Sequence, residues 1–354
     1  MRKHYIDNLR WIVILLLIPY HAAMAWNTWG ENNYIVFGSN KVLSSFIVFC
    51  SPFFMPLLFL LAGMSTRYAL SKRTAGQYIA ERIKRLIVPL VFGTVVIMPV
   101  MCFIADKFNC GYEGSFLSHY GVFFTKFTDL TGGDGGFSFG QFWFLLYLFV
   151  ISLIALGIIL LQRKVLKKEI KDIPLWFVVL LGLPLYFMKD ILSLGGKSLL
   201  EFIYIFLAGY YVFSRDEVVL KLSRFRWVFL SLGLIFSALN IWLFIWSGLN
   251  LDVLNGIVNS LAGWFMLLGI IALGKARLDF TGKIPAHMSG ISFAFFSLHY
   301  LFLVLLQYLT AGFTEVTFVL FIIPVLTAYM LTFLFSLIFV RVPFLSFLIG
   351  TKKR

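Results

Sequence analysis

His21 is the residue in this chain best placed to do chemistry. It lies eleven positions after Arg10, inside the apolar run 11–26. At the rise of an α-helix it would sit about 16 Å beyond Arg10, near the middle of a hydrocarbon layer about 30 Å thick. Eleven steps of about 100° return almost to the starting azimuth, so Arg10 and His21 share one helix face. Asp7 joins them if the helix reaches back that far. An ionisable side chain at such depth is costly, which makes it a functional candidate by default. Burial disfavours the charged imidazolium and leaves a basic ring nitrogen able to take a proton from a hydroxyl. The bland alternative is a histidine bonded to a neighbouring helix, or one reaching with Tyr20 toward the interface.

A second group is basic. Arg67, Lys72, Arg73, Arg82, Lys84 and Arg85 crowd one short connection, offset by Glu81 alone. Such a patch suits membrane topology and anionic headgroups. Because guanidinium forks match phosphate oxygens, it equally suits a phosphate-rich ligand. Arg82 and Arg85, three apart, would share a helix face leading into Leu86-Ile87-Val88-Pro89. Trp143, in Phe142-Trp143-Phe144-Leu145, reads first as an interfacial anchor. Glu201 and His299 are further costly ionisable groups in apolar runs. His4, His119 and His287 fall in segments expected to be exposed, where no role is assigned to them. His-Glu-x-x-His, Cys-x-x-Cys, Walker and Gly-x-Ser-x-Gly patterns are missing from the sequence, so metal hydrolysis, nucleotide-driven pumping and hydrolase-fold catalysis lack support and no metal is expected.

The elements that must position these groups are membrane helices. The chain is 60% hydrophobic and only 13% charged, against about 25% charged for soluble domains. Ten spans are expected, at roughly 11–29, 43–66, 86–105, 140–161, 174–188, 199–213, 227–247, 253–274, 291–309 and 317–340, the fifth and sixth being short. With both termini cytoplasmic, 25 of the 30 Lys and Arg fall on cytoplasmic segments and 5 on outer ones, as the positive-inside rule requires. The net charge of +14 is therefore a topology signal, and nucleic acid is not an expected partner. The expectation is an all-α polytopic membrane protein, a single integral-membrane domain over 1–354 in the cell membrane, with the lipid bilayer as its surroundings.

Some local features stay open. The basic, then apolar N-terminus followed by Ala23-Met24-Ala25 also fits a cleavable signal peptide, although the apolar run continues to Trp26 across Pro19-Tyr20-His21. Cys50, Cys102 and Cys110 form no disulfide framework, with a Cys102–Cys110 pairing left open. Segment 106–139 is the one long loop, and loops of that length are usually functional or mobile. Its Gly132-Gly133-Asp134-Gly135-Gly136 lacks the strand-to-helix context of a dinucleotide site. Prolines 19, 52, 56, 89, 99, 184 and 324 should kink their helices.

Taken in order, several of these stretches resemble the acyltransferase 3 family. Tyr5-Ile6-Asp7-Asn8-Leu9-Arg10, then ten residues and His21, is similar to that family's N-terminal signature. The stretch from Phe53 through Pro56 to Gly63 is similar to its second span, with Ala62 where the family commonly has serine. The run from Arg82 through Arg85 to Pro89 resembles the basic entry to its third span, and Trp143-Phe144-Leu145 and Ile291 through His299 resemble later landmarks. The resemblance implies a ten-helix enzyme that moves an acyl group, acetyl or succinyl, from cytoplasmic acyl-CoA to a hydroxyl of an extracytoplasmic carbohydrate or cell-envelope acceptor. It makes His21 the general base or acyl carrier, supported by Arg10 and Asp7. Arg82, Arg85 and Arg67 are then expected at the acyl-CoA donor, and Trp143, Glu201 and His299 at the acceptor. Self-association is left open. The alternatives are a transporter or flippase of a polar or lipid-linked glycan and, more weakly, a noncatalytic assembly or sensing protein. No inverted repeat of the kind many transporters carry is evident.

Overall fold

A chain in lipid must satisfy each backbone N–H and C=O within its own segment or in a closed barrel, so long apolar runs fold as helices. The computed structural model describes residues 3–165 and 172–351. In chain order its apolar helices are α1 (His4–Met24), α2 (Lys41–Leu70), α3 (Ala75–Cys110), α4 (Gly140–Val165) and α5 (Leu175–Met188). They continue with α6 (Leu199–Phe213), α7 (Arg226–Trp246), α8 (Asp252–Arg277), α9 (Lys283–Ala311) and α10 (Thr317–Arg341). The protein is an all-α polytopic membrane protein in which eight of these are long and apolar enough to cross a bilayer. The two shorter ones, α5 and α6, stand where the fifth and sixth spans are expected and fall below the about 20 residues a straight crossing needs. A two-residue hairpin, Ser193–Leu194 paired antiparallel with Lys197–Ser198, lies between them. Its turn residues Gly195 and Gly196 both take positive φ, as a tight hairpin of the favoured twist requires.

The prolines reshape the helices in identifiable ways. Pro19 lies inside α1 and removes the donor that would bond Leu15 O. The Tyr329 hydroxyl donates to that carbonyl at 2.6 Å. In α3, π-turns over Ile83–Ile87 and Gly93–Ile97 precede Pro89 and Pro99, widening the ladder where each proline interrupts it. Pro52 sits in the break of α2 between Cys50 and Phe54.

Contacts group the chain into two compact units. The first comprises Met1–Val13, Val48–Arg82 and Tyr147–Pro285. Here α2 and α6 cross in backbone contact: a Cβ on Gly63 would run into Phe206 O, and one on Gly209 into Leu60 O. Small residues let membrane helices approach this closely. Asn8 fastens the start of α1 in the same unit, donating through Nδ2 to Leu278 O at 2.7 Å and Phe280 O at 3.0 Å.

The second unit comprises Ile14–Ile47, Ile83–Leu146 and Ala286–Arg354. It contains the 106–139 segment, which is folded: a π-turn over Asp106–Cys110, then a helix Phe116–Thr125 capped by Ser115. That helix buries Phe123 and, contrary to the expectation of an exposed segment, His119. His119 Nε2 lies 3.1 Å from Asp106 Oδ2. Asn109 Nδ2 donates to Asn33 O (2.9 Å), Tyr34 O (3.2 Å) and Gly133 O (2.7 Å). The glycine cluster is a packing device, since a Cβ on Gly132 would meet Cys102, Ser138 and Tyr34 at 2.9 Å, and one on Gly133 would meet Asn33 O at 2.8 Å. Cys50, Cys102 and Cys110 are free thiols.

Candidate active site

The first unit assembles an arginine centre on the last turns of α2. Helix α1 begins at His4, ahead of the apolar span, so it reaches back to Asp7 and places it in its first turn. Arg10 Nη1 pairs with Asp7 Oδ1 at 3.1 Å, and its Nη2 donates to Ser65 Oγ at 3.0 Å. A planar fork satisfied at two points is held in one orientation. On the next residue, Thr66 Oγ1 accepts from Arg82 Nη2 at 3.0 Å, while the Arg82 guanidinium lies 4.8 Å over the Tyr78 ring. One residue further, Arg67 lies 5.5 Å over the Tyr210 ring, whose hydroxyl accepts from Arg163 Nη2 at 3.0 Å. Glu81, the acid of this region, is taken by Arg73 at 2.8 Å. Arg82 thus has no carboxylate partner among the described residues. Arg85 is half-buried within the Ile83–Ile87 π-turn, a wider winding than the α-helix from which a shared face with Arg82 follows.

The second unit assembles an imidazole centre. Tyr300 stacks on His21 with ring centroids 4.0 Å apart and planes 19° from parallel. Tyr20 meets the His21 ring edge-on at 5.4 Å, and the His299 ring lies 5.5 Å away. Tyr300 is itself fixed, because its hydroxyl donates to Asn33 Oδ1 at 2.6 Å and the Tyr34 ring abuts it edge-on at 5.1 Å. His299 is fully buried, and its Nδ1 lies 2.7 Å from Phe296 O. Aromatic packing of this kind fixes ring orientation and contributes about 0.5–1.5 kcal/mol per pair beyond area burial.

Two expected residues have local structural roles. Glu201 is in the first turn of α6, and its N–H donates to Ser198 Oγ at 3.2 Å. Ser198 with an acid three residues on is a helix-start pattern, and an anion there complements the helix dipole. Trp143 is half-buried where the α-helical part of α4 begins, its ring edge-on to Phe144. Ser65, Thr66, Asn33 and Tyr300 are the residues that sequence reasoning passed over. Only Tyr300 carried a signal, as the neighbour of His299 in an apolar run. Among the described residues, no three of His, Cys, Asp and Glu converge as a metal site would need.

The model of the acyltransferase 3 family, described as an acyltransferase domain, matches residues 3–341 and so takes in both centres. The chain belongs to the acyltransferase 3 family. It is a multi-pass membrane O-acyltransferase, which decides for an enzyme over a transporter or a noncatalytic scaffold. No curated protein and no solved structure matches it. In this acyltransferase 3 protein the arginine centre belongs to the first unit and the imidazole centre to the second.

Proposed function

We propose that this acyltransferase moves an acyl group from cytoplasmic acyl-CoA to a hydroxyl of an extracytoplasmic carbohydrate or other envelope acceptor, with His21 as general base. The carrying observation is the His21 ring, stacked under Tyr300 and flanked by His299, on the helix that also carries the Asp7–Arg10 pair. The hydroxyl oxygen attacks the thioester carbonyl as its proton passes to His21. The carbon–sulfur bond then breaks, and the proton leaves with the thiolate as free thiol. The cation formed transiently on His21 faces the Tyr300 ring, a favourable arrangement for positive charge. Arg82, lacking a carboxylate partner among the described residues, and Arg67 and Arg85 suit the donor's phosphates. Trp143 and Glu201 are assigned to the acceptor side by family resemblance alone. The 25-to-5 division of Lys and Arg supports cytoplasmic termini.

Thiol release from acetyl-CoA by the purified full chain, with envelope glycan as acceptor, tests this reading. His21→Ala should lose about 10²–10⁴-fold in rate, the usual contribution of a positioned base. Undiminished release at equal protein level would remove His21 from the chemistry.

A further inference from the structure

His299 takes no part in the proton transfer proposed for His21. Nδ1 lies 2.7 Å from the Phe296 carbonyl, which can only accept, so Nδ1 carries the hydrogen and Nε2 is the bare nitrogen. That Nε2 is buried and has no hydrogen-bond partner among the described residues. Gln141, at the start of α4, repeats the pattern against the same stretch of α9. It is buried, its Nε2 donates to Ser297 O at 3.2 Å, and its Oε1 likewise has no partner among the described residues. Buried polar atoms are nearly always paired, and leaving one unmatched costs about 1–3 kcal/mol. Both orphaned atoms are acceptors, and what satisfies an acceptor is an O–H or N–H, from water or from a ligand. Among the described residues, the rings that lie against His299 are those of His21, Phe296 and Tyr300.

We infer that His299 Nε2 is a second hydroxyl-binding point beside His21, so that the site takes an acceptor with hydroxyls on neighbouring carbons. One hydroxyl is presented to His21 for acylation while its neighbour donates to His299. Rings 5.5 Å apart are close enough for one such pair to span. The inference rests on the reading of His21 as the group that meets the acceptor. His299 is then a specificity residue: it rejects an acceptor lacking the second hydroxyl, because that leaves its nitrogen unmatched.

The test uses the full chain in lipid nanodiscs, with a methyl hexoside and its monodeoxy counterparts as probes. With ¹⁵N-labelled imidazoles, His299 should show the Nδ1–H tautomer, and its Nε2 resonance should move when the hexoside is added and stay when the analogue deoxygenated at the neighbouring position is added. An Nε2–H tautomer, or a resonance indifferent to the hexoside, overturns the inference. In acyl transfer, wild type should prefer the hexoside over that deoxy analogue by about tenfold or more in kcat/KM, the worth of one matched hydrogen bond. His299→Asn keeps a donor for Phe296 O and removes the acceptor at the Nε2 position, so the preference should collapse toward unity. His299→Gln restores an acceptor at the Nε2 position and should recover part of it. Equal loss on both acceptors in His299→Asn would mark a purely structural histidine and overturn the inference. If the nitrogen resonance moves but no acyl transfer occurs with any acceptor, the proposed function fails while the binding point stands.

Discussion

At the residue scale, the two centres differ in how their groups are held. Arg10 is pinned at both ends of its fork, by Asp7 and Ser65. His21 is held by ring faces and edges, with Tyr300 over it at 4.0 Å. Tyr300 contributes separably, through its ring to His21 and through its hydroxyl to Asn33. Tyr300→Phe keeps the ring and should lower kcat by less than about threefold. Tyr300→Leu removes the face that stabilises a cation and should cost about tenfold, within the range of about 0.5–2 kcal/mol for a cation over an aromatic ring. Steady-state thiol release on the two variants reads the difference, and equal losses would assign the effect to the Asn33 bond instead. Asp7, Arg10 and His21 were legible in sequence because helical spacing is a local property. Asn33 was not, since it meets Tyr300 from 267 positions away.

At the element scale, close packing and one buried pair decide behaviour. In the crossing of α2 and α6, a Cβ at Gly63 or Gly209 would strike backbone oxygen rather than a yielding side chain. Gly63→Ala and Gly209→Ala should each destabilise by about 1–3 kcal/mol through overpacking. Gly76→Ala, at a helical position with open space, should be neutral or stabilising by up to about 1 kcal/mol. Thermal unfolding of the solubilised protein separates these outcomes. In the 106–139 segment, burial pushes the His119 imidazole below its ordinary range, outweighing the raising pull of Asp106. A depressed folded value means that the unfolded segment binds the proton more readily. The contribution to stability is therefore full above the ordinary histidine value of about 6.5 and is lost as pH falls through the folded value. Asp134 does not share that window. Burial raises its carboxyl, but bonds from Gly136, Thr128 and Lys126 outweigh this and hold it below the carboxylate range. Amide exchange over 116–137 should accelerate beyond its intrinsic pH dependence as pH falls below about 6.5, and His119→Gln should abolish that excess. The positions of the apolar helices were readable from hydropathy. The small helix that buries His119 was not, because a ten-residue helix depends on packing more than on propensity.

At the scale of the whole molecule, charge sorting and thiol exposure give a direct test of orientation. Cys110 is exposed, whereas Cys50 and Cys102 are buried. If the termini are cytoplasmic, Cys110 lies on the outer side, and a membrane-impermeant maleimide should label it in intact cells. Labelling only after permeabilisation would reverse the assignment of sides. Among the described residues, ten apolar helices appear, as the hydropathy pattern implies, but two are too short for a straight crossing. A turn at Leu181–Pro184 interrupts α5, and the glycine hairpin separates it from α6, features too brief to register in a hydropathy window.

Composition and spacing alone gave the membrane class, the order of the apolar helices, the place of Asp7, Arg10 and His21 on one helix, and the resemblance to a family that the chain proves to belong to. Each follows from composition or from spacing within one helix, where geometry is set by the backbone ladder. Which groups meet became visible in the folded chain: Ser65 and Thr66 under Arg10 and Arg82, Tyr300 and His299 beside His21, and Asp106 against His119. These contacts join distant stretches of chain, and their register depends on how closely helices approach at residues such as Gly63 and Gly209. No local pattern encodes that distance.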